Sequence, residues 1–190
     1  MTAAELLRSF IVAFIAGSIP FSYIAVRLSG KDIGAYGEGN PGAANAFRAG
    51  GLKIGIPSLI LDSFKGVIPV ALLVRDASYW QVPLIAIAPV LGHAFSPFLH
   101  FRGGKAIATS FGIWTALTVW WAPTAMGIGA LASAFLLKGA TDVQKTLIVF
   151  MSLGVGLTLS GSGAGMWALF AANLAVVLFK QYQYAKPSGR

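Results

Sequence analysis

An all-α fold, a polytopic membrane bundle of seven transmembrane helices, is predicted from three observations. The first is composition: 56% of the 190 residues are hydrophobic, 11% are charged and the mean hydropathy is +0.75. Soluble domains carry about 25% charged residues. The second is the recurrence of apolar runs near the roughly 20 residues that a spanning helix needs. The third is the placement of Lys and Arg, which favours every second connection. The chain 1–190 reads as a single integral membrane domain, with no soluble portion, linker or internal repeat.

The predicted spans are about 6–28, 54–74, 81–99, 106–121, 123–138, 145–160 and 163–180. The first lacks a small-residue cleavage pattern before Arg27, so it reads as a retained helix rather than a signal peptide. Residues 106–137 hold no charge and are too long for one span. They break at 120–123, WWAP, where tryptophans mark an interface and proline opens a new helix. Residues 161–165, GSGAG, make a second tight turn. The 23 glycines suit helices packed backbone to backbone.

Seven spans put the chain ends on opposite sides. One side then carries Lys31, Arg48, Lys53, Arg102, Lys105, Lys138, Lys145, Lys180, Lys186 and Arg190, and the other only Arg8 and Arg75. The positive-inside rule puts the N-terminus outside and the C-terminus in the cytoplasm. The net charge of +8 is loop charge of this kind. A nucleic-acid partner is not expected, because no soluble basic face exists. The chain has no cysteine, hence no disulfide, thiol nucleophile or thiolate metal site. There is no Gly-x-Ser-x-Gly elbow, Walker loop, His-Glu-x-x-His or paired carboxylates in one segment, so no metal and no cofactor are expected.

Two polar, glycine-rich loops stand out against the hydrocarbon. Residues 34–48 read GAYGEGNPGAANAFR, and residues 101–105 read FRGGK. In the first, Gly37, Gly39 and Gly42 free the backbone, Asn40 and Asn45 offer amides, and Arg48 offers a guanidinium fork. Together they suit an anion nest, although Asn-Pro-Gly is also ordinary turn chemistry. In the second, Lys105 begins a long apolar helix, so its ammonium is expected near that helix's N-terminal amides. Arg102 and Lys105 are otherwise topogenic charges only. His93, near the end of an apolar span, is a proton carrier or a hydrogen-bonded structural histidine. Asp62 and Lys65, three apart inside the second span, read first as a structural ion pair and second as proton or substrate handling. Both loops fall on the cytoplasmic side, where an anionic headgroup would be handled.

These residues resemble the bacterial acyl-phosphate:glycerol-3-phosphate acyltransferase family. The resemblance rests on 17–20 (GSIP), 37–48 (GEGNPGAANAFR), 61–66 (LDSFKG), 92–97 (GHAFSP) and 103–109 (GGKAIAT). It implies an integral protein of the bacterial cytoplasmic membrane, acting in phospholipid synthesis. The implied reaction moves a fatty acyl group from acyl phosphate to glycerol 3-phosphate, making lysophosphatidic acid. No acyl-enzyme intermediate is implied. The resemblance implies that Asn45, Arg48 and Lys105 hold the phosphate groups and that the Gly39–Gly42 backbone lines the site; the candidate catalytic residues are Arg48, Lys105 and Glu38, the last standing where the family has serine. The implied substrate-binding set is Gly39, Asn40, Gly42, Asn45, Arg48, His93 and Lys105. The partners are these two substrates and membrane lipids; nothing in the sequence reports oligomeric state.

The chain departs from the family where Glu38 replaces serine and Ala44 replaces threonine. Residues 138–145, KGATDVQK, stand in place of a serine-rich motif with an arginine. Residues 179–186, FKQYQYAK, lack the family's late His and Asn. Other readings therefore stay open: an acyltransferase with another acceptor and Glu38 as general base, or a non-catalytic lipid- or anion-binding membrane protein or transporter of the same fold.

Overall fold

A computed structural model describes residues 1–185. Lys186 and Arg190, counted above among the cytoplasmic charges, lie outside the described residues. Helix α1 (Ala3–Ser18) opens on a capping box in which Thr2 and Glu5 each satisfy the other's backbone amide. Helix α2 (Phe21–Leu28) continues the same apolar run after a break at Ile19 and Pro20. The break follows from Pro20, which has no N–H to carry the helical ladder. Helix α3 (Ala43–Leu73) is followed by α4 (Gln81–Ala94) and a 3-10 turn at Pro97–Leu99. Then come α5 (Ile107–Thr118), α6 (Trp121–Leu136), α7 (Asp142–Leu159) and α8 (Ala164–Ala185).

Five stretches are long and apolar enough to cross a membrane: Ala3–Leu28, Ala43–Leu73, Gln81–Leu99, Asp142–Leu159 and Ala164–Ala185. Helices α5 and α6 have 12 and 16 residues. At about 1.5 Å per residue they measure roughly 18 and 24 Å, short of a hydrocarbon core of about 30 Å. Three boundaries differ from expectation. The first predicted span is two helices. The second is preceded by a further helical segment from Ala43, joined to it across a kink at Gly51, whose backbone (φ 59°, ψ −151°) is non-helical. Lys105 does not open α5: Ala106 caps it in the left-handed region (φ 60°) and the helix starts at Ile107.

Small residues let the helices close. A Cβ on Gly17 or Gly92 would collide with Pro89 or Phe14 backbone across the α1–α4 contact. One on Gly66 would stand 2.6 Å from the Thr109 carbonyl of α5. Around these crossings Trp114, Met126, Phe150 and Leu153 are fully buried in one core. Its polar atoms are paired: Trp114 Nε1 donates to Asn173 Oδ1 (3.0 Å), and Asn173 Nδ2 to Ser110 Oγ (2.7 Å). That joins α5 to α8.

The bundle has two distinct ends. One gathers the α2–α3 loop, the α4–α5 connection, the start of α7 and the end of α8, where Tyr184 donates to the Gly103 carbonyl (3.0 Å). The other gathers Met1, whose carbonyl accepts from Gln81 (2.9 Å), and Tyr79, whose hydroxyl accepts from the Gly165 amide (2.8 Å).

The break between α1 and α2 frees carbonyls inside the bundle, and buried side chains take them. Lys65 Nζ donates to the Ile19 carbonyl (2.7 Å) and pairs with Asp62 Oδ1 (2.9 Å). Ser96 Oγ donates to the Ser18 carbonyl (2.6 Å), and Ser22 Oγ donates to Asp62 Oδ2. Asp62 and Lys65 thus form the ion pair that their spacing predicts. Lys65→Met strands the Asp62 carboxylate and the Ile19 carbonyl. It is expected to cost about 3–5 kcal/mol, the usual penalty for breaking a buried pair. Adding Asp62→Leu to that variant should recover part of the loss. Thermal unfolding in detergent measures both; equal melting temperatures for Lys65→Met and the parent would remove the pair from the stability account.

Candidate active site at one end of the bundle

The first glycine-rich loop leaves α2 and enters α3. A 3-10 turn at Ile33–Ala35 is capped by the Asp32 carboxylate, which accepts from the Gly34 amide (3.0 Å). Gly37 (φ 53°) and Gly39 (φ 72°) then take left-handed conformations that L side chains rarely adopt. A Cβ on Gly37 would also stand 2.5 Å from Arg48 Nη1. The loop therefore folds back over the first turns of α3. There Asn45 Nδ2 donates to the Asn40 carbonyl (3.0 Å), and Arg48 Nη1 donates to Asn45 Oδ1. The second loop, after α4, is pinned by the Gly104 amide donating to the His93 carbonyl (3.1 Å). Its Lys105 side chain is buried.

Glu38 joins the two loops. Its Oε2 lies 3.2 Å from Arg48 Nη1, and its Oε1 lies 2.7 Å from Lys105 Nζ. Lys105 also holds Asp142 Oδ2 at 3.0 Å, at the start of α7. Four charged groups thus alternate in sign, Arg48–Glu38–Lys105–Asp142. Partial burial raises the Glu38 carboxyl. The Lys105 hydrogen bond, a backbone hydrogen bond and the charges of Lys105 and Arg48 outweigh this, holding it below the ordinary glutamate value. Lys105 therefore meets carboxylates, where the sequence placed it at helix amides.

These residues border a cavity of about 410 Å³, within the roughly 300–1,000 Å³ typical of small-molecule sites. Its polar end is made by Glu38, Asn40, Arg48, His93, Lys105 and Asp142. Its apolar walls include Leu59, Ile107, Val149 and Phe150, from α3, α5 and α7.

Of the residues singled out from sequence, Glu38, Asn40, Gly42, Arg48, His93 and Lys105 line this cavity. Gly39 and Asn45 do not: Gly39 shapes the loop, and Asn45 braces Arg48 from behind. Sequence reasoning missed Asp142, Lys145, Thr146 and Gln181, all on the cavity wall. Gln181 Nε2 donates to Thr146 Oγ1 and to the Asp142 carbonyl (3.4 Å), tying the end of α8 to the start of α7. One signal was readable. Thr141 and Gln144 form a capping box, the pattern that announces an α7 N-terminus at Asp142. Among the described residues, no group of three or more His, Cys, Asp or Glu is placed to hold a metal.

The lowered Glu38 value fixes a direction. The folded carboxyl titrates below the ordinary glutamate value, so its ion pairs contribute fully above that ordinary value. That contribution is lost as pH falls through the lower folded value. Melting temperatures in detergent from about pH 6 to about pH 3 should fall more steeply for the parent than for Glu38→Gln. Parallel curves would show that Glu38 adds nothing to acid sensitivity.

A family model described as glycerol-3-phosphate acyltransferase matches residues 7–186. Glycerol-3-phosphate acyltransferase 1 of Thermotoga maritima is 43% identical over 185 residues, covering 90% of this chain and 87% of that protein. The glycerol-3-phosphate acyltransferase of Nitratidesulfovibrio vulgaris is 34% identical over 187 residues, covering 94% of this chain and 53% of that one. Crystal structures of PlsY (YgiH), an integral membrane glycerol 3-phosphate acyltransferase, align at 27% identity over 94% of this chain and 88% of theirs. The TM-scores are 0.84 for the glycerol 3-phosphate form and 0.82 for the lysophosphatidic acid form. Sequence and fold agree over nearly the whole length, and the chain belongs to the glycerol-3-phosphate acyltransferase family.

Proposed function

We propose that this chain transfers a fatty acyl group from acyl phosphate to the 1-hydroxyl of glycerol 3-phosphate, releasing lysophosphatidic acid and phosphate. The observation that carries the reading is the convergence of Arg48, on the first turns of α3, and Lys105, on the loop before α5, at the polar end of one cavity with apolar walls. Phosphate suits the two cations and an acyl chain suits Leu59, Ile107, Val149 and Phe150. Acyl phosphate is already activated, with phosphate as leaving group, so positioning and charge neutralisation supply much of the rate.

In the resting protein Glu38 occupies both cations. A phosphate dianion that takes Arg48 and Lys105 leaves Glu38 without partners, and an unpaired, partly buried carboxylate is a stronger base. The acceptor hydroxyl then loses its proton to Glu38 as its oxygen bonds the acyl carbon. The bond from acyl carbon to phosphate oxygen breaks, and phosphate leaves with the electron pair. Glu38, Arg48 and Lys105 are the catalytic residues of this scheme. The backbone from Gly39 to Gly42 and the Asn45 amide shape the phosphate end, and Asn40 and His93 complete the wall.

The two ends of the bundle support seven crossings, with the short α5 and α6 completing the count. The cationic end, which holds the site, then faces the cytoplasm of a bacterial inner membrane. The chain has no cysteine, so single cysteines report topology directly. Ala43→Cys and Ser162→Cys should label from opposite faces of sealed vesicles; labelling from one face would sink the seven-crossing topology.

Purified protein given palmitoyl phosphate and glycerol 3-phosphate should release phosphate and form lysophosphatidic acid. Arg48→Ala and Lys105→Ala should each lower kcat/KM by roughly 10²–10³-fold, the cost of losing one charge contact to the transferring group. Glu38→Gln should lower kcat while leaving the donor KM unchanged or smaller. An unchanged kcat in that variant would take Glu38 out of the chemistry.

A further inference from the structure

Burying a polar atom without a partner costs about 1–3 kcal/mol, so such atoms are rare and informative. Among the described residues, Asn40 Oδ1 is buried and makes no hydrogen bond. Asn40 is only 4% exposed and His93 only 6% exposed, yet both line the cavity. They converge on one place. A Cβ built on Gly104 would stand 2.9 Å from Asn40 Oδ1 and in collision with His93 Nε2. Gly104 does not have a left-handed backbone. Its glycine is therefore a matter of space: the Asn40 amide oxygen and the His93 imidazole pack directly against its Cα, in the notch a side chain would fill.

The chemistry of the notch differs from that of the cation pair. An amide oxygen repels phosphate oxygens and accepts from an O–H group. His93 Nδ1 stands 4.0 Å from the Asp62 carboxylate and makes no hydrogen bond, and its Nε2, on the Asn40 side, can donate or accept. An orphan acceptor with an imidazole nitrogen beside it, next to a phosphate clamp, fits a hydroxyl on the carbon next to the reacting one, which has one proton to give and lone pairs to receive. We propose that Asn40, His93 and the notch at Gly104 form a hydroxyl-reading subsite that binds the middle hydroxyl of the polyol phosphate acceptor. This rests on the acyltransferase reading above and assigns the acceptor's selectivity to these residues.

The test compares two acceptors with palmitoyl phosphate as donor. Glycerol 3-phosphate carries the middle hydroxyl; 3-hydroxypropyl phosphate keeps the phosphate and the reacting hydroxyl and lacks the middle one. A site built around a substrate hydroxyl strands its own polar atoms when that hydroxyl is missing. The parent should therefore show a kcat/KM at least about tenfold lower with 3-hydroxypropyl phosphate. Asn40→Ala removes the orphan oxygen, and Gly104→Ala fills the notch with a methyl group while keeping both side chains. In each, selectivity between the acceptors should shrink to within about threefold, with the donor KM little changed. A merely structural role would depress both acceptors equally. Equal depression in both variants, or a parent that does not distinguish the acceptors, overturns the subsite and leaves the acyltransferase reading standing. A parent that acylates neither acceptor overturns that reading, and the subsite with it.

Discussion

The structure depends on one constraint: inside an apolar bundle every polar group must find its partner within the protein. Pro20 breaks the first apolar run, and the freed carbonyls need donors. Lys65 answers for Ile19 and Ser96 for Ser18. Lys65 itself needs a counter-charge, which Asp62 supplies three residues earlier. The Asp62 carbonyl in turn accepts from Thr109 Oγ1 (2.9 Å), so α3 is locked to α5 a turn beyond Lys105. The register of these helices is thus set by polar necessity, because packing among apolar residues in lipid has little directional preference. Arg48, on the first turns of α3, and Lys105, on the loop into α5, are carried by the helices fixed in this way. Their convergence follows from the buried pair below them.

At the site the same rule produces an alternating row of charges. A clamp of two cations with no anion would be costly to keep partly buried, and Glu38 and Asp142 relieve that cost. The arrangement has a consequence for binding. In the proposed reaction phosphate exchanges with a carboxylate already at the two cations. Affinity is reduced by the lost ion pairs, and the cations are pre-organised before substrate arrives. The serine expected at position 38 from the family resemblance would bind the same cations far less strongly. The substitution therefore trades ground-state binding for order in the empty site.

Much of the architecture was legible because its signals are coarse. Composition, span-length runs, WWAP and the GSGAG turn each reflect the bilayer rather than fine packing. The two loops were legible because glycine and charge are conspicuous against hydrocarbon, and the pairing of Asp62 with Lys65 because three residues is one helical turn. What escaped has a common cause. Asp142, Thr146 and Gln181 are ordinary polar residues at helix ends, and they become part of the site only through the approach of α7 and α8 to the Lys105 loop. Ala106 gives no sign of its left-handed backbone, since alanine is a good helix former.

The expected His and Asn are absent, yet the end of α8 remains engaged with both halves of the site. Gln181 holds the start of α7 through Thr146 and the Asp142 carbonyl. Tyr184 holds the second loop through the Gly103 carbonyl. Between them Lys180 is buried, its ammonium 5.3 Å from the Phe95 ring centroid and 5.6 Å from that of Tyr184. A cation over two ring faces is stabilised without a carboxylate partner, and more strongly where water is excluded. One turn of α8 thus braces Asp142 on one side and the Gly103–Gly104 backbone on the other, and both lead to Lys105. The family's polar chemistry has changed at this position, and the mechanical requirement, a fixed ammonium beside Glu38, is met by amide, phenol and cation–π contacts instead.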